Sequence, residues 1–538
     1  MKSKILLFLI ILSVFLVESI FGQNTFQLLI GGVEIEGVSS IQQTDDNGFI
    51  IGGTTNSFGS DSNDVYIIKI NAVGDTMWTK TFGGINQDYC SSIQNTSDGG
   101  FIILGSTNSF GAGNYDVYLL KIDSIGNLLW SKTYGGVARD NGYSIVQTTD
   151  GGFIIAGETK SFGVNFHDVY LIKTNSNGDT TWTKSFGIIN IDIRFSDIQQ
   201  TTDGGFIIVG DFLDNQTYDF WDIYVLKTDS IGNLQWNNVL YNCRSSRSGP
   251  SSYDFASSII QTTDEGYVIS GSTENCNIGD EYVYLIKLTY YGNLSWSKLY
   301  GGPTYQNFGY SVKQTLDNGF IIAGVTNSFG FGLQDIYVLK TDINGDLVWS
   351  KTYGGASYDI ASSIQLTNDG GFIIGGYTNS FGAGSYDIYL IKTDSLGNSG
   401  CNETIPLTKT PESYTRQSSI NPTIRSTTTF INNPNTLVNS GGTLNQLCVL
   451  GIYEAKFDNF FSLFPNPANN DFIVLSDHIM KKGEIKLFNF LGKMILKENF
   501  DNESEIRINV KDFIDGIYFV KVIDGENHFS KQLIIERY

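Results

Sequence analysis

The sequence predicts an all-β chain of seven repeated four-stranded units followed by a separate β-rich tail. Three observations predict it. An Asp-Gly-Gly-Phe landmark, or a near variant, places an aromatic at Phe49, Phe101, Phe153, Phe206, Tyr267, Phe320 and Phe372, in steps of 52, 52, 53, 61, 53 and 52 residues. Trp78, Trp130, Trp182, Trp236, Trp296 and Trp349 trail the first six of these by 29 or 30. Between the landmarks lie short apolar runs bounded by turn residues, with no helical period. A period near fifty marks supersecondary units that bury their faces only against neighbours.

Residues 140–188 show one unit. Tyr143 to Gln147 reads as a strand, Thr148-Thr149-Asp150-Gly151-Gly152 as a tight turn and Phe153 to Gly157 as a second strand. Asp-Gly and Gly-Gly between apolar runs are hairpin signals because the favoured turns need positive φ. A loop through Ser161-Phe162-Gly163 leads to a third strand, Asp168 to Lys173, and Asn175 to Asp179 turns the chain into a fourth around Trp182. Phe-Ile-Ile and Val-Tyr-Leu-Ile are apolar at successive positions, as expected where both sheet faces are covered. Four such strands make a propeller blade. The Asp-x-x-Gly-x-x-x-Trp arrangement resembles the tryptophan-docking repeats of quinoprotein propellers with a shorter turn, which implies that each Trp wedges between blades.

The seventh unit ends at Ser399-Gly400-Cys401 without its Trp strand. At the other end of the chain, Asn24 to Gly32 reads as an orphan fourth strand with the same Gly-Gly ending as Trp349 to Gly355. Pairing the two closes a seven-bladed ring and removes two sheet edges; an open solenoid is the competing arrangement.

The 538 residues include 34 Lys and Arg against 55 Asp and Glu, a net charge of -21. That balance excludes nucleic acid and anionic membrane surfaces as partners. His167, His478 and His528 are the three histidines, too few and scattered for imidazole-based catalysis or metal binding. Residues 1–22 read as a signal peptide: Lys2 and Lys4, an apolar run from Ile5 to Val17, and a cut before Gln23. No other segment is apolar enough to span a bilayer. Export permits disulfides, with Cys243 and Cys276 in one irregular repeat and Cys401 and Cys448 bracketing the segment after the last one. Cys90 stands where other repeats carry Gly142, Ala256, Gly309 and Ala361, so it reads as a buried small apolar residue.

Residues 23–400 are thus expected to be the propeller. Residues 401–456, rich in Thr, Ser, Asn and Pro, read as a linker or small accessory β-element. Residues 457–538 form a further domain. Its Phe464-Pro465-Asn466-Pro467-Ala468 entry, Leu491-Gly492-Lys493 turn and Gly516-Ile517-Tyr518-Phe519-Val520 strand resemble the type A C-terminal sorting domain of the Bacteroidetes type IX (Por) secretion system. The resemblance implies a small Ig-like β-sandwich, recognition by the outer-membrane translocon, removal by a sortase-like processing enzyme, and an extracellular or cell-surface destination.

Features present in every unit build the scaffold. Acidic residues open the first strand (Glu36, Asp88, Asp140, Asp192, Asp254, Asp359, with Asn307 in the sixth) and the third (Asp64, Asp116, Asp168, Asp222, Asp335, Asp387). A carboxylate ring able to hold Ca2+ is one reading; capping of each unit's own backbone N–H groups is favoured. No other cofactor is indicated. A ligand site is expected where the pattern breaks: the eight additional residues between Trp236 and Tyr267, around Cys243-Arg244-Ser245-Ser246-Arg247, and the altered loop Asp211 to Trp221. Loops joining strands four to one and two to three share one face of a propeller, so these segments and His167 meet on one rim. His167, Tyr218, Phe220, Trp221, Arg244, Arg247 and Tyr253 are the candidate ligand-binding residues, suited to stacking on and hydrogen-bonding a sugar. No paired-carboxylate or Ser/His/Asp layout stands out. The expectation is a secreted, non-enzymatic surface propeller binding a glycan or protein, with a glycan-active hydrolase or lyase and a purely structural protein as alternatives.

Overall fold

The computed structural model describes residues 24–450 and 462–535, apart from 61, 164–166, 190, 214–220, 243–252, 275–279, 303–305, 383, 428, 435, 442, 466–467, 490–493 and 525–526. The proposed signal peptide, Cys243 and Cys276 lie outside the described residues. Residues 1–451 and 452–538 form two compact units.

The first unit is a seven-bladed β-propeller. Blade 1 is built from Glu36–Gln43, Phe49–Thr55, Asp64–Ile70 and Thr76–Gly83, paired antiparallel in that order from the axis outward. Blades 2 to 6 repeat it, starting at Asp88, Asp140, Asp192, Asp254 and Asn307. Blade 7 takes Asp359–Leu366, Phe372–Thr378 and Asp387–Thr393 from one end of the repeat region and Thr25–Gly31 from the other. Phe26 pairs with Lys392 just as Trp78 pairs with Lys69 in blade 1. The ring is closed. The turn N–H of Asn368 in blade 7 donates to the Gln43 side chain of blade 1 at 2.8 Å, the bond that Ser97 makes to Gln147 between blades 2 and 3.

The repeated residues explain the repeated geometry. Each third-strand Lys folds back onto the Asp of its own blade's first turn; Lys69–Asp46, Lys173–Asp150 and Lys392–Asp369 are each 2.9 Å. Each Trp lies against the next blade's landmark aromatic, with ring centroids 5.8–6.5 Å apart. In blade 7 Phe26 occupies the Trp place, 6.4 Å from Phe49. Gly397 turns at φ +77°, and a Cβ there would stand 2.8 Å from the Trp349 ring, so the docking surface needs glycine. Cys90 is a buried free thiol whose pKa burial pushes up to about 12, as its small neighbours in the repeat suggested.

Residues 401–450, expected as a linker or small accessory β-element, form a series of short strands. They run once around the outside of the ring, against the blade order, as a belt. Glu403–Thr404 pairs with the outer strand of blade 6, and Gly301 of blade 5 bridges Lys409. Arg416–Ser418, Thr423–Ser426, Phe430–Asn432 and Leu437–Asn439 then add a strand to blades 4, 3, 2 and 1. Thr443–Leu450 finally covers Thr25–Gly31 in blade 7. The step is seven residues per blade, since Gln417, Ile424, Ile431 and Val438 oppose Leu240, Phe186, Tyr134 and Phe82. The belt covers outer edges that would otherwise be open to another strand. Its ends meet: Cys401 is disulfide-bonded, and Gln27 donates 2.5 Å to the Cys401 carbonyl while its main chain pairs with Cys448. The Cys448 side chain lies outside the described residues.

The third-strand tyrosines hold the belt. A buried phenol needs a hydrogen-bond partner. Tyr118 bonds Thr436 at 2.5 Å, Tyr66 donates to the Gly441 carbonyl at 2.7 Å, and Tyr284 and Tyr337 bond Thr415 and Thr408. At blade 4 the same seven-residue step brings Pro422 where the others have Thr; among the described residues the buried hydroxyls of Tyr224 and of Tyr170 in blade 3 have no hydrogen-bond partner. Thr436→Val, which strands the Tyr118 hydroxyl, is expected to lower stability by about 1–3 kcal/mol, read as a reduced urea midpoint at unchanged slope.

The second unit is the expected small β-sandwich. Ser462–Phe464, Asp471–Asn489, Met494–Asn509, Gly516–Asp524 and Asn527–Ile535 form an antiparallel array around Phe472, Val474, Ile485, Leu487, Val520 and Leu533. The long second strand breaks register between Leu475 and Met480. Its first part pairs with Ser462–Phe464 and its last with Gly516–Asp524.

Candidate functional site

Two places in the ring break the repeat where side chains can meet a ligand. The first is the rim of blades 3 to 5. The connections expected to share this face do so: Ile193 N–H, at the start of blade 4, donates 3.0 Å to the His167 carbonyl of blade 3. His167 Nδ1 lies 2.8 Å from Asp192 Oδ1, and its Nε2 lies 3.9 Å from Glu158. Arg194 stands 3.9 Å from Asp192 and lays its guanidinium over the Trp221 ring at 4.3 Å. The Trp221 and Phe255 centroids are 6.4 Å apart, and Tyr253, 41% exposed, stacks on Phe255 at 6.5 Å. Blades 3, 4 and 5 thus contribute to one contiguous face carrying three aromatic rings, a cation and acids. Of the candidate residues, His167, Trp221 and Tyr253 belong to it, while Tyr218, Phe220, Arg244 and Arg247 lie outside the described residues. Sequence reasoning did not single out Arg194 or Phe255 as site residues and named Asp192 only among the repeated acids that open the first strands; their adjacency follows from strand pairing and blade packing.

Asp211 lies beneath this face. It pairs with Arg194 across the sheet and accepts the Ala256 N–H at 2.9 Å. Burial pushes its carboxyl up to about 7 against the opposing pull of that bond and of Arg194. The acid at Asp192 is held below the usual carboxylate range: burial raises it, but hydrogen bonding to and the charge of His167 outweigh that.

The second place is the central channel. Every first strand carries a β-bulge, between Val38 and Ser40 in blade 1 and at the matching residues elsewhere. A bulge turns successive residues to one face, so pairs such as Ser39 and Ser40, or Ser362 and Ser363, both line a cavity of about 140 Å³. Asp197 of blade 4 stands where the other blades have serine, and Lys313 of blade 6 where blades 1, 2 and 7 have Gln42, Gln94 and Gln365. Both substitutions sit inside strands, where the signal was a single changed letter.

The carboxylates opening the first strands behave as caps. Asp140 Oδ2 accepts Gly136 N–H at 2.8 Å and the Ser161 hydroxyl at 2.6 Å, and Glu36 accepts Gly32 N–H at 2.8 Å. Among the described residues no three His, Cys, Asp or Glu side chains gather as a metal site.

Residues 462–536 match the secretion system C-terminal sorting domain. No curated protein matches the chain. Solved structures similar to it include an α-L-arabinanase of Penicillium chrysogenum at 9% identity, covering 70% of this chain and 98% of that one with a TM-score of 0.40. An α-L-arabinofuranosidase of Fusarium graminearum shares 8% identity over 69% of this chain and 98% of its own, with a TM-score of 0.39. The sorting domain implies export out of the cell by the type IX secretion machinery. No helix among the described residues is long and apolar enough to cross a membrane.

Proposed function

We propose that the exported propeller is a non-enzymatic binding module of the outer cell surface, whose ligand is a glycan seated on the blade 3–5 rim. The observation that carries this reading is the Arg194, Trp221, Phe255 and Tyr253 array. Aromatic faces accept the apolar face of a sugar ring, while Arg194, Asp192 and His167 offer donors and acceptors for hydroxyls. On a glycan array, mature chain is expected to retain a defined set of saccharides. Tyr253→Ala and Trp221→Ala are expected to weaken retention tenfold or more. Tyr253→Ala, at an exposed position, should leave the melting temperature unchanged. Undiminished retention by both variants defeats the rim assignment. The sorting domain, on this reading, is removed by a sortase-like enzyme after translocation, so the surface product should lack residues 462–536 by mass.

A second reading is a glycan-active hydrolase, favoured by Asp211: a carboxyl pushed up to about 7 suits a general acid. Release of reducing sugar from polysaccharide by the native chain, abolished in Asp211→Asn, would select it over the binding module.

A further inference from the structure

The channel carries an unequal pair of charges. Asp197 is saturated: its Oδ1 accepts the Ser144 hydroxyl at 2.8 Å and the Ile198 N–H at 2.9 Å. Its Oδ2 accepts the Ser258 hydroxyl at 3.1 Å and the Ile259 N–H at 3.0 Å. These bonds tie blades 3, 4 and 5 together and leave the carboxylate little capacity for another partner. Lys313 comes from blade 6, close enough for Asp197 to favour its charged form against the burial that disfavours it. Its ammonium makes no hydrogen bond or ion pair with any described residue. The rest of the cavity wall is hydroxyl and amide: Ser40, Ser92, Ser311 and Ser363, with Gln42, Gln94 and Gln365 on the Lys313 layer. A cation with three N–H donors thus faces a chamber of neutral hydroxyls and amides, which can donate as well as accept, and the one acid present already accepts four hydrogen bonds.

We propose that the central channel is a binding site for a small oxyanion, with Lys313 as its charged ligand and the surrounding serine hydroxyls and glutamine amides as further donors. Charge-assisted hydrogen bonds from an ammonium in a confined polar chamber are the stronger kind. The oxyanion has two possible sources, free inorganic sulfate or phosphate and a sulfate group carried on a saccharide. The site is independent of the rim.

The test is calorimetric titration of the full mature chain, in low-chloride buffer, with sodium sulfate, sodium phosphate and a sulfated disaccharide. At least one inorganic anion is expected to bind. Lys313→Gln, which restores the residue of blades 1, 2 and 7, should weaken it tenfold or more. Asp197→Ser, which restores the residue of the other six blades and removes the opposing charge, should tighten it severalfold. Disaccharide affinity matching that of sulfate identifies a carried group as an admissible source; binding of the inorganic anions alone identifies the free ion. The proposal is overturned if the native chain binds neither inorganic anion, or if Lys313→Gln binds as the native chain does. Should Lys313→Gln fail to fold, Asp197→Ser decides: unchanged or weaker binding overturns it.

Discussion

A mature chain lacking residues 24–32 is expected to lose the closed ring and to melt far below the intact protein. Thr25–Gly31 is buried at every position and lies between Asp387–Thr393 and Thr443–Leu450, so its removal orphans a ladder on each side. Burying Phe26, Leu28, Leu29 and Ile30 contributes roughly 1.5–3 kcal/mol each, about 6–12 kcal/mol in all. That is of the order of a domain's whole stability. The loss also reaches blade 1, because Phe26 and Leu28 pack in the same cluster as Phe49, Ile51 and Ile68. Leu28→Ala alone should cost about 2–5 kcal/mol. Both are read by urea titration followed by far-ultraviolet circular dichroism. An unchanged midpoint in the deletion variant would contradict velcro closure, and with it the placement of every loop on the rim.

The blade count and its closure were legible because the repeat is written in residues that do the same mechanical job each time. The turn Asp, the third-strand Lys, the docked Trp and the Gly beneath it recur, and a missing fourth strand at one end matches a spare strand at the other. The belt was not legible in this way. Its pairing segments are only two to four residues long in blades 6, 4, 3, 2 and 1, too short for strand periodicity to register. Composition hid the signal, which is a seven-residue step placing Thr408, Thr415, Thr429 and Thr436 in phase, with Pro422 interrupting it. The other half of the signal lay in the blades. A tyrosine in the middle of each third strand (Tyr66, Tyr118, Tyr170, Tyr224, Tyr284, Tyr337, Tyr389) is an odd choice for a wholly apolar core unless its hydroxyl reaches something beyond the sheet. The channel pair shows a different limit. Attention to inserted loops finds the rim, whereas Asp197 and Lys313 break the pattern without changing its length. Only the bulge, which turns that strand segment toward the axis, makes those single letters matter.

Raising the pH from about 4 to 7 is expected to destabilise the ring. Carboxyls that open first and third strands come together in buried pairs at three blade junctions, Asp64 with Asp88, Asp116 with Asp140 and Asp335 with Asp359. Asp116 is pushed up to about 6 by burial and by Asp140, and Asp335 to about 6 by burial and by Asp359. Asp64, Asp88, Asp140 and Asp359 are raised as well, burial being the largest cause. Asp64, Asp88, Asp116 and Asp359 each keep a buried oxygen without a hydrogen-bond partner among the described residues, so a shared proton supplies the donor the pair needs. A carboxyl raised in the folded state stabilises it fully below the unfolded value near 3.8, and that contribution is lost as pH climbs through the folded value. For Asp116 and Asp335 the loss, discounted for solvent screening, is on the order of 1–3 kcal/mol each, and it falls between pH 4 and 6. The turn acids act in the opposite sense. In Asp98, Asp150 and Asp317 burial raises the carboxyl, but the neighbouring Thr hydroxyl and the Lys ammonium outweigh it and bring it to about 2. Their contribution is present above pH 3.8 and disappears only as pH falls toward 2. The two sets together place the highest melting temperature near pH 4, with a decline on either side. Scanning calorimetry from pH 3 to 8 checks it, and Asp116→Asn, neutral at every pH, should flatten part of the decline above pH 4. A melting temperature that holds level to pH 7, or that calcium raises at pH 7 while abolishing the slope, would mean that a cation and not a proton reconciles the paired carboxylates.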